Sequence, residues 1–348
     1  MITAIDFGNT EIRVAMRSEE RPYRLRFSAE RAAYRLIPDQ YAIRSVLDRL
    51  GIPCVTCENS IAVIGNQVTE CRWLNQLPLA PLLDRTSDGT SDLPARQMIN
   101  LLVESLLPKS LDSSSICAMV LPESSGAADS SQNEFLRRLV RMRGYEVLEI
   151  PAAEAAILST GSDFSFTGCC VVMGAEETQV CIARNGVSLV TRSLPQGGSV
   201  MDRELCSRMK IHVWDREGNC YLDVERAEEK KTDSGISLMH PAGDFQNMLS
   251  ELYADFVEQI LGTVGSLLED TAVARCLPPS GIPLILTGGA SAVGQLKEFV
   301  AERLIRRRLA DRIDRLFVSP ENRTAVLRGA LIAAELASKD SMTRKSAA

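Results

Sequence analysis

An α/β fold of two lobes is predicted by three observations. Asp6-Phe7-Gly8-Asn9-Thr10 joins two short apolar stretches at the start of the chain. The same alternation of strand, acidic or glycine-rich turn and strand returns at residues 169 to 192. Two glycine pairs then follow, Gly197-Gly198 and Gly288-Gly289, the second after a buried apolar run. Turns of this kind let backbone N–H groups approach phosphate oxygens. Four of them in this order predict a nucleotide clamped between the lobes.

At 348 residues the chain is long enough for two lobes that each bury a core. Apolar residues make up 45% and charged residues 24%, ordinary globular usage that excludes disordered and fibrous classes. A net charge of -6 gives no general attraction to nucleic acid or anionic lipid, so no nucleic-acid partner is expected. No apolar run approaches the ~20 residues of a membrane span, and Met1-Ile2-Thr3-Ala4 leads straight into a strand. The expectation is a cytoplasmic protein without a direct membrane span, reaching the inner face of a membrane only through partners. Most of the ten cysteines, among them Cys117, Cys169, Cys170, Cys181 and Cys206, sit in apolar segments and read as reduced core thiols. Cys54 and Cys57 form one Cys-x-x-Cys pair with Cys71 beyond it, but without a second pair the spacing of a zinc site is incomplete.

Taken in order, residues 2 to 5 and 11 to 16 read as a hairpin, with Gly8-Asn9 suited to the positive φ of a tight turn. Residues 17 to 35 are Arg-rich and carry no clear period. Ala42 to Leu50 is helical and stops at Gly51-Ile52-Pro53, and Ile61 to Gly65 is a short buried strand. The stretch Thr86 to Asp92 is a loop whose last residues cap a helix from Leu93 or Pro94 to Leu107. Ser115 to Leu121 is a strand. A Ser/Ala/Gly-rich segment, 123 to 131, leads into a helix in which Phe135, Leu136, Leu139 and Val140 recur at helical spacing before Gly144. A strand at 147 to 150 precedes the helix Ala152 to Leu158, so rich in alanine that a neighbouring backbone must approach it closely.

Three strands follow at 169–173, 178–183 and 187–192, the last two joined by Asn185-Gly186, the strongest short hairpin signal in the chain. Helices are expected at 200–209, 245–271 and 293–309, strands at 283–286 and 316–319, and a closing helix at 324–337 with a frayed tail after Ser338.

Strand, phosphate turn, strand, twice over, with a late Gly-Gly turn, resembles the actin-like ATPase superfamily of actins, MreB-type bacterial actins, seventy-kilodalton heat-shock chaperones and sugar kinases. The likeness extends to Leu121-Pro122, to Gly144-Tyr145-Glu146-Val147 with Pro151 to Ile157, to Ala227-Glu228-Glu229-Lys230-Lys231, and to Ala325 to Ala330. In layout the chain is most similar to MreB-type proteins, weakly so at 17–110. The resemblance implies a bilobal fold of duplicated ribonuclease H-like domains, with lobe I at 1–158, carrying a small insertion at about 17–110, and lobe II at 159–323. Helix 324–337 would return to lobe I.

By the same resemblance ATP and Mg2+ are the expected cofactors. Asp6 would orient the hydrated Mg2+, and Gly8, Asn9 and Thr10 would present N–H groups to the phosphates. Gly174 and Thr178 belong to the second phosphate turn, and Gly197, Gly198 and Asp202 to the Gly-Gly-x-x-x-Asp turn. Glu228 and Lys231 would touch the adenosine, as would the turn Gly288, Gly289 and Ala290. Gln132 or Glu134 would position the attacking water. Plainer readings stand beside these: a simple hairpin at Asp6, a strand-to-helix connection at Gly288, a solvated helix face at Glu228 and Lys231, and helix N-terminal amide and carboxylate groups that favour the dipole at Gln132 and Glu134.

The second phosphate turn departs from the pattern. Relatives carry an aspartate where Val172 stands and Gly-Gly-Thr where Ala175-Glu176-Glu177 stand. A carboxylate ~5 Å from a phosphate costs on the order of 3 kcal/mol at an effective dielectric near 20. Phosphate binding there needs Glu176 and Glu177 to turn outward or to recruit a cation.

The leading expectation is therefore an MreB-like, ATP-binding cytoskeletal or cell-shape protein that self-assembles and hydrolyses ATP weakly or not at all. The alternative is a non-catalytic adaptor resembling PilM-type proteins, bound to a membrane-associated pilus, secretion or division machine. It draws on the pattern Gly174-Ala175-x-x-Thr178. A chaperone-like ATPase is a third reading, limited by the lack of room for a peptide-binding domain. The basic stretch Glu302 to Leu309 reads as a solvated helix face rather than a membrane contact.

Overall fold

The computed structural model describes residues 1–17, 24–74, 77–83, 93–112, 114–122, 127–215, 217–233 and 235–346. The chain divides into two compact units, one of Met1–Glu149 with His212–Tyr221 and Ala334–Ala348, the other of Ile150–Ile211 with Leu222–Ala333.

The first unit begins with β1 (Ile2–Phe7), β2 (Glu11–Arg17), β3 (Leu25–Arg31) and β4 (Ala33–Pro38), then α1 (Tyr41–Leu50), β5 (Cys54–Cys57), β6 (Ser60–Ile64), α2 (Gln67–Glu70) and β7 (Ala80–Pro81). It continues with α3 (Leu93–Leu106), β8 (Ile116–Val120), α4 (Ala127–Met142) and β9 (Glu146–Glu149). Its main sheet has the order β3-β2-β1-β8-β9, antiparallel on one side of β1 and parallel on the other. β1 is central, so both its faces are buried. Ile5, Phe7, Ile12 and Val14 pack with Met98 and Leu102 of α3 and with Leu136 and Val140 of α4. Burying each such side chain stabilises the unit by about 1.5–3 kcal/mol.

From residue 24 on, the Arg-rich stretch that shows no period resolves into β3 and β4. β3 is an edge strand with charged residues on both faces, a composition that blunts edge pairing and hides the alternation. A second sheet, β5-β6-β4-β7, carries the Cys-x-x-Cys pair. Positions i and i+3 of a strand face opposite ways. Cys54 accordingly packs on the cluster around Ile37 and Leu47, and Cys57 on the main core. The expected loop 86–92 with its cap, and residues 123–126, lie outside the described residues.

The second unit starts with α5 (Ala152–Thr160), β10 (Gly168–Met173), β11 (Thr178–Arg184), β12 (Val187–Leu194) and α6 (Gly198–Met209). The chain then forms a small hairpin of β13 (His212–Trp214) and β14 (Cys220–Leu222), which up to Tyr221 is counted with the first unit. The second unit resumes with α7 (Val224–Lys231), α8 (Gly243–Glu269), α9 (Thr271–Cys276), β15 (Ile282–Thr287), α10 (Leu296–Arg306), β16 (Ile313–Val318) and α11 (Ala325–Ser346), whose residues from Ala334 on are counted with the first unit. Its sheet order, β12-β11-β10-β15-β16, repeats that of the first unit strand for strand. Asn185 and Gly186 adopt φ of 52° and 78°, as a tight two-residue hairpin requires.

Three boundaries differ from expectation for local reasons. The 245–271 helix stops at Glu269 because the Asp270 carboxylate accepts from the N–H groups of Ala272 and Val273 and starts a separate helix. The 293–309 helix is shorter at both ends, since Gln295 and Arg308 are left-handed, with φ of 63° and 56°. The closing helix runs on to Ser346 instead of fraying after Ser338; no Gly or Pro interrupts it beyond Gly329. The alanine-rich α5 receives that glycine. A Cβ at Gly329 would lie 1.6 Å from the Ala155 carbonyl oxygen.

Candidate functional site

In the first unit the β1–β2 hairpin sets the turn Gly8-Asn9-Thr10. Gly8 N–H donates to Glu11 O at 3.1 Å, and a Cβ at Gly8 would meet that oxygen at 2.9 Å. Glycine is needed for this close approach. The expected positive φ is absent at both Gly8 and Asn9. Asn9 Nδ2 donates to Leu83 O at 2.6 Å, and Thr10 O accepts from Ala32 N–H at 2.9 Å, so the turn is fixed from both sides.

The hairpin register places Asp6 directly opposite Arg13, and Arg13 Nη2 lies 2.9 Å from Asp6 Oδ2. Burial raises the Asp6 carboxyl above its ordinary value; Arg13 opposes the rise and Glu11 adds to it. The expected role of Asp6 in orienting a hydrated Mg2+ is therefore not matched by its surroundings. Its carboxylate already has a cation in the Arg13 guanidinium. The donor set at this turn does not fit Mg2+.

In the second unit three turns converge. The β10–β11 turn is closed by Gly174 N–H to Glu177 O at 3.0 Å. Its carbonyls accept from the start of α6, Gly198 N–H to Gly174 O at 2.9 Å and Ser199 N–H to Ala175 O at 2.8 Å. Thr178 Oγ1 donates to Gln196 O at 2.8 Å. A Cβ at Gly197 would lie 2.5 Å from Ala175 O, and one at Gly288, where φ is 97°, would lie 2.4 Å from Met173 O. Both positions thus demand glycine. Gly198 in turn sits against Ala290 and Lys231; a Cβ there would be 3.3 Å from Ala290 Cβ and 3.5 Å from Lys231 Nζ. Gly289 faces open space.

Beneath this cradle Lys231 Nζ donates to both Asp202 oxygens, at 2.7 and 2.6 Å, with side chains only 9% and 4% exposed. Burial raises the Asp202 carboxyl, and Lys231 pulls it back. Glu228, half-buried one turn earlier on α7, adds to the rise. The structure thus brings together Gly174, Thr178, Gly197, Gly198, Asp202, Lys231, Gly288 and Ala290, with Gly289 and Glu228 beside them.

In the β10–β11 turn both glutamates have partners. Arg203 of α6 donates to both Glu176 oxygens, at 2.6 and 2.7 Å, and Glu177 accepts from Gln179 Nε2 at 3.1 Å. Val172 lies within the sheet, opposite Gln179 on β11 and beside Thr287 on β15. Of the two candidates for positioning water, both half-buried on α4, Glu134 is engaged by Arg138 at 3.1 Å and Arg137 at 3.6 Å, a surface ion pair. Gln132 makes no side-chain hydrogen bond among the described residues.

Sequence reasoning missed Arg13, Arg203 and Tyr253, whose hydroxyl donates to Ala290 O at 2.8 Å and holds the last turn in place. An arginine inside the otherwise apolar run Ile12 to Ala15 is a readable signal for Arg13. Arg203 and Tyr253 act from other elements and leave none.

Comparison with known structures identifies the architecture. A structure titled "MamK double helical filament" aligns at a TM-score of 0.64 and 17% identity, covering 96% of this chain and 98% of that one. MreB 5 of Spiroplasma citri bound to AMPPNP aligns at 0.67 and 14%, covering 98% of each. The ethanolamine utilization protein EutJ from Carboxydothermus hydrogenoformans aligns at 0.51 and 16%, covering 95% and 89%. The fold is the bilobal actin-like ATPase fold. No curated protein matches the sequence significantly. No helix among the described residues is long and apolar enough to cross a membrane. The sequence does match one protein family over residues 1–334, nearly its whole length and both actin-like units, so the chain belongs to the Volactin family.

Proposed function

We propose that this protein is an ATP-binding cytoskeletal actin homologue that assembles into filaments and hydrolyses ATP slowly or not at all. One observation carries the reading: three glycine turns from separate parts of the second unit converge beside the buried Asp202–Lys231 pair, two of them hydrogen-bonded to each other and the third packed on the Met173 backbone too closely for any side chain. Such a cradle costs backbone entropy and excludes side chains, which a plain strand-to-helix connection does not require. Nucleotide is the ligand class that suits it, and relatives in fold are known bound to AMPPNP and ADP. The filament of MamK supports assembly. Slow turnover follows from Val172 in place of an aspartate, with Gln132 left to position water. Membrane attachment, if any, runs through a partner protein.

The test is titration of the purified full chain with ATP, followed by sedimentation and electron microscopy over a range of protein concentrations. ATP-dependent sedimentable filaments are expected. ATP binding without any sedimentable species would remove the filament and favour the adaptor reading, which the loss of the aspartate at Val172 also suits.

A further inference from the structure

We propose that Arg13 takes the place of a divalent cation at the first phosphate turn, so that this chain binds the polyphosphate of a nucleotide without Mg2+. The inference rests on the nucleotide reading above and deepens it.

The argument starts from position. Asp6 and Arg13 are cross-strand partners, and the guanidinium covers the carboxylate: the Arg13 side chain is 24% exposed and that of Asp6 only 9%. The same Nη2 that binds Asp6 lies 3.6 Å from where a Cβ on Gly8 would stand, so the guanidinium lies against the glycine of the turn. Gly8 N–H is already engaged by Glu11 O, so a phosphate at this turn meets the Arg13 guanidinium, the more exposed member of the pair, before it meets Asp6. Guanidinium is permanently charged and planar, and its fork of donors matches phosphate oxygens in pairs. A hydrated divalent ion at the same place meets positive charge and a carboxylate already engaged.

The second phosphate turn likewise offers a metal ion no free carboxylate, by a different arrangement of residues. The aspartate that would complete a metal site is Val172, and Arg203 holds Glu176 through two hydrogen bonds while remaining 46% exposed. In both turns, then, a carboxylate is matched by an arginine on the more exposed side, and the third carboxylate, Glu177, accepts from Gln179.

The experiment is calorimetric titration of the full chain with ATP in EDTA and, separately, with Mg2+. The dissociation constants are expected to agree within about threefold. Asp6→Asn separates the alternatives by sign. It leaves Arg13 in place and removes a negative charge, so ATP binding in EDTA tightens by about threefold or more, whereas loss of a metal-orienting carboxylate abolishes binding. Arg13→Gln weakens binding in EDTA by about tenfold or more, and Arg13→Lys recovers part of it. If Arg13→Gln misfolds because Asp6 is left buried alone, the neutral pair Asp6→Asn with Arg13→Gln restores the fold and still binds poorly in EDTA. Binding that requires Mg2+ and disappears in Asp6→Asn overturns the inference and leaves the nucleotide reading intact. No ATP binding in either buffer overturns both.

Discussion

Replacing Lys231 by Met, a side chain of nearly the same length and volume, removes a charge from the floor of the proposed nucleotide cradle. Lys231 Nζ holds both oxygens of Asp202, and the carboxylate is 4% exposed, so Lys231→Met leaves a buried charge without its partner. Breaking a buried pair in this way costs about 3–5 kcal/mol. For a unit of this size that lowers the melting temperature by about 6–20 °C. The pH dependence fixes the cause. Asp202 already has its carboxyl raised by burial, and losing Lys231 raises it further. An acid whose folded pKa exceeds its unfolded value binds more protons when folded, so stability falls as pH rises between the two values and is regained as pH falls. The Lys231→Met deficit should therefore be largest above neutrality and shrink towards pH 5. Urea midpoints at pH 7.5 and pH 5, with unchanged slopes, measure it. The double change Asp202→Leu with Lys231→Met removes both charges and should be neutral or stabilising by about 1–4 kcal/mol. It should still lose ATP affinity, which separates the pair's structural part from its part in binding. A Lys231→Met cost below about 1 kcal/mol at pH 7.5, or one that grows in acid, would refute the reasoning, because it would mean the pair is solvated.

Other changes test neighbouring parts of the argument. Gly329→Ala drives a methyl group into the Ala155 carbonyl, which is backbone and cannot step aside, so α5 and α11 must part at a cost of about 1–3 kcal/mol or more in thermal unfolding. Arg203→Ala should change stability by less than about 1 kcal/mol because the pair is half-exposed. It should nevertheless weaken ATP binding by about tenfold in titration, since Glu176 is then left on the turn with no opposing charge. In mass-spectrometric alkylation at pH 8, exposed Cys220 should label first. Cys117 and Cys206, which burial pushes up to about 12 and about 11, should stay unlabelled until the chain is unfolded; early labelling of either would contradict their burial.

The parts of the fold that were legible in the sequence are those whose signal is local. Asn185-Gly186 marked a hairpin because two consecutive left-handed residues are cheap only there. The glycines at 197 and 288 marked close backbone approach, and the alanines of α5 marked a tight helix contact met by Gly329. What stayed hidden depends on register or on distant partners. β3 was unreadable because an edge strand carries charges on both faces. Glu176 and Arg203 are 27 positions apart on different elements, so the neutralisation of the second turn could be stated only as a requirement. Asp6 and Arg13 lie between these cases. Both residues were visible, but their pairing follows only once the hairpin register is known.

The repeated strand order makes one position in each unit directly comparable. Asp6 is the next-to-last residue of β1, ahead of Gly8, and faces Arg13 on β2. Val172 is the next-to-last residue of β10, ahead of Gly174, and faces Gln179 on β11. Both slots are buried, so a charge in one half of the pair demands the opposite charge in the other. In the second unit both charges are gone together, and Gln179 instead ties the start of α5 to the β10–β11 turn, its Oε1 accepting from Ala153 N–H at 3.3 Å and its Nε2 donating to Glu177. Restoring the aspartate alone, Val172→Asp, should therefore destabilise the protein by about 3 kcal/mol or more, because the new carboxylate is buried against an amide. Val172→Asp combined with Gln179→Arg should recover a substantial part of that loss by recreating the first unit's arrangement, measured as urea midpoints of the single and double variants. If Val172→Asp alone proves harmless, the slot is open to water, and the two phosphate turns differ by solvation and not by the removal of a charged pair.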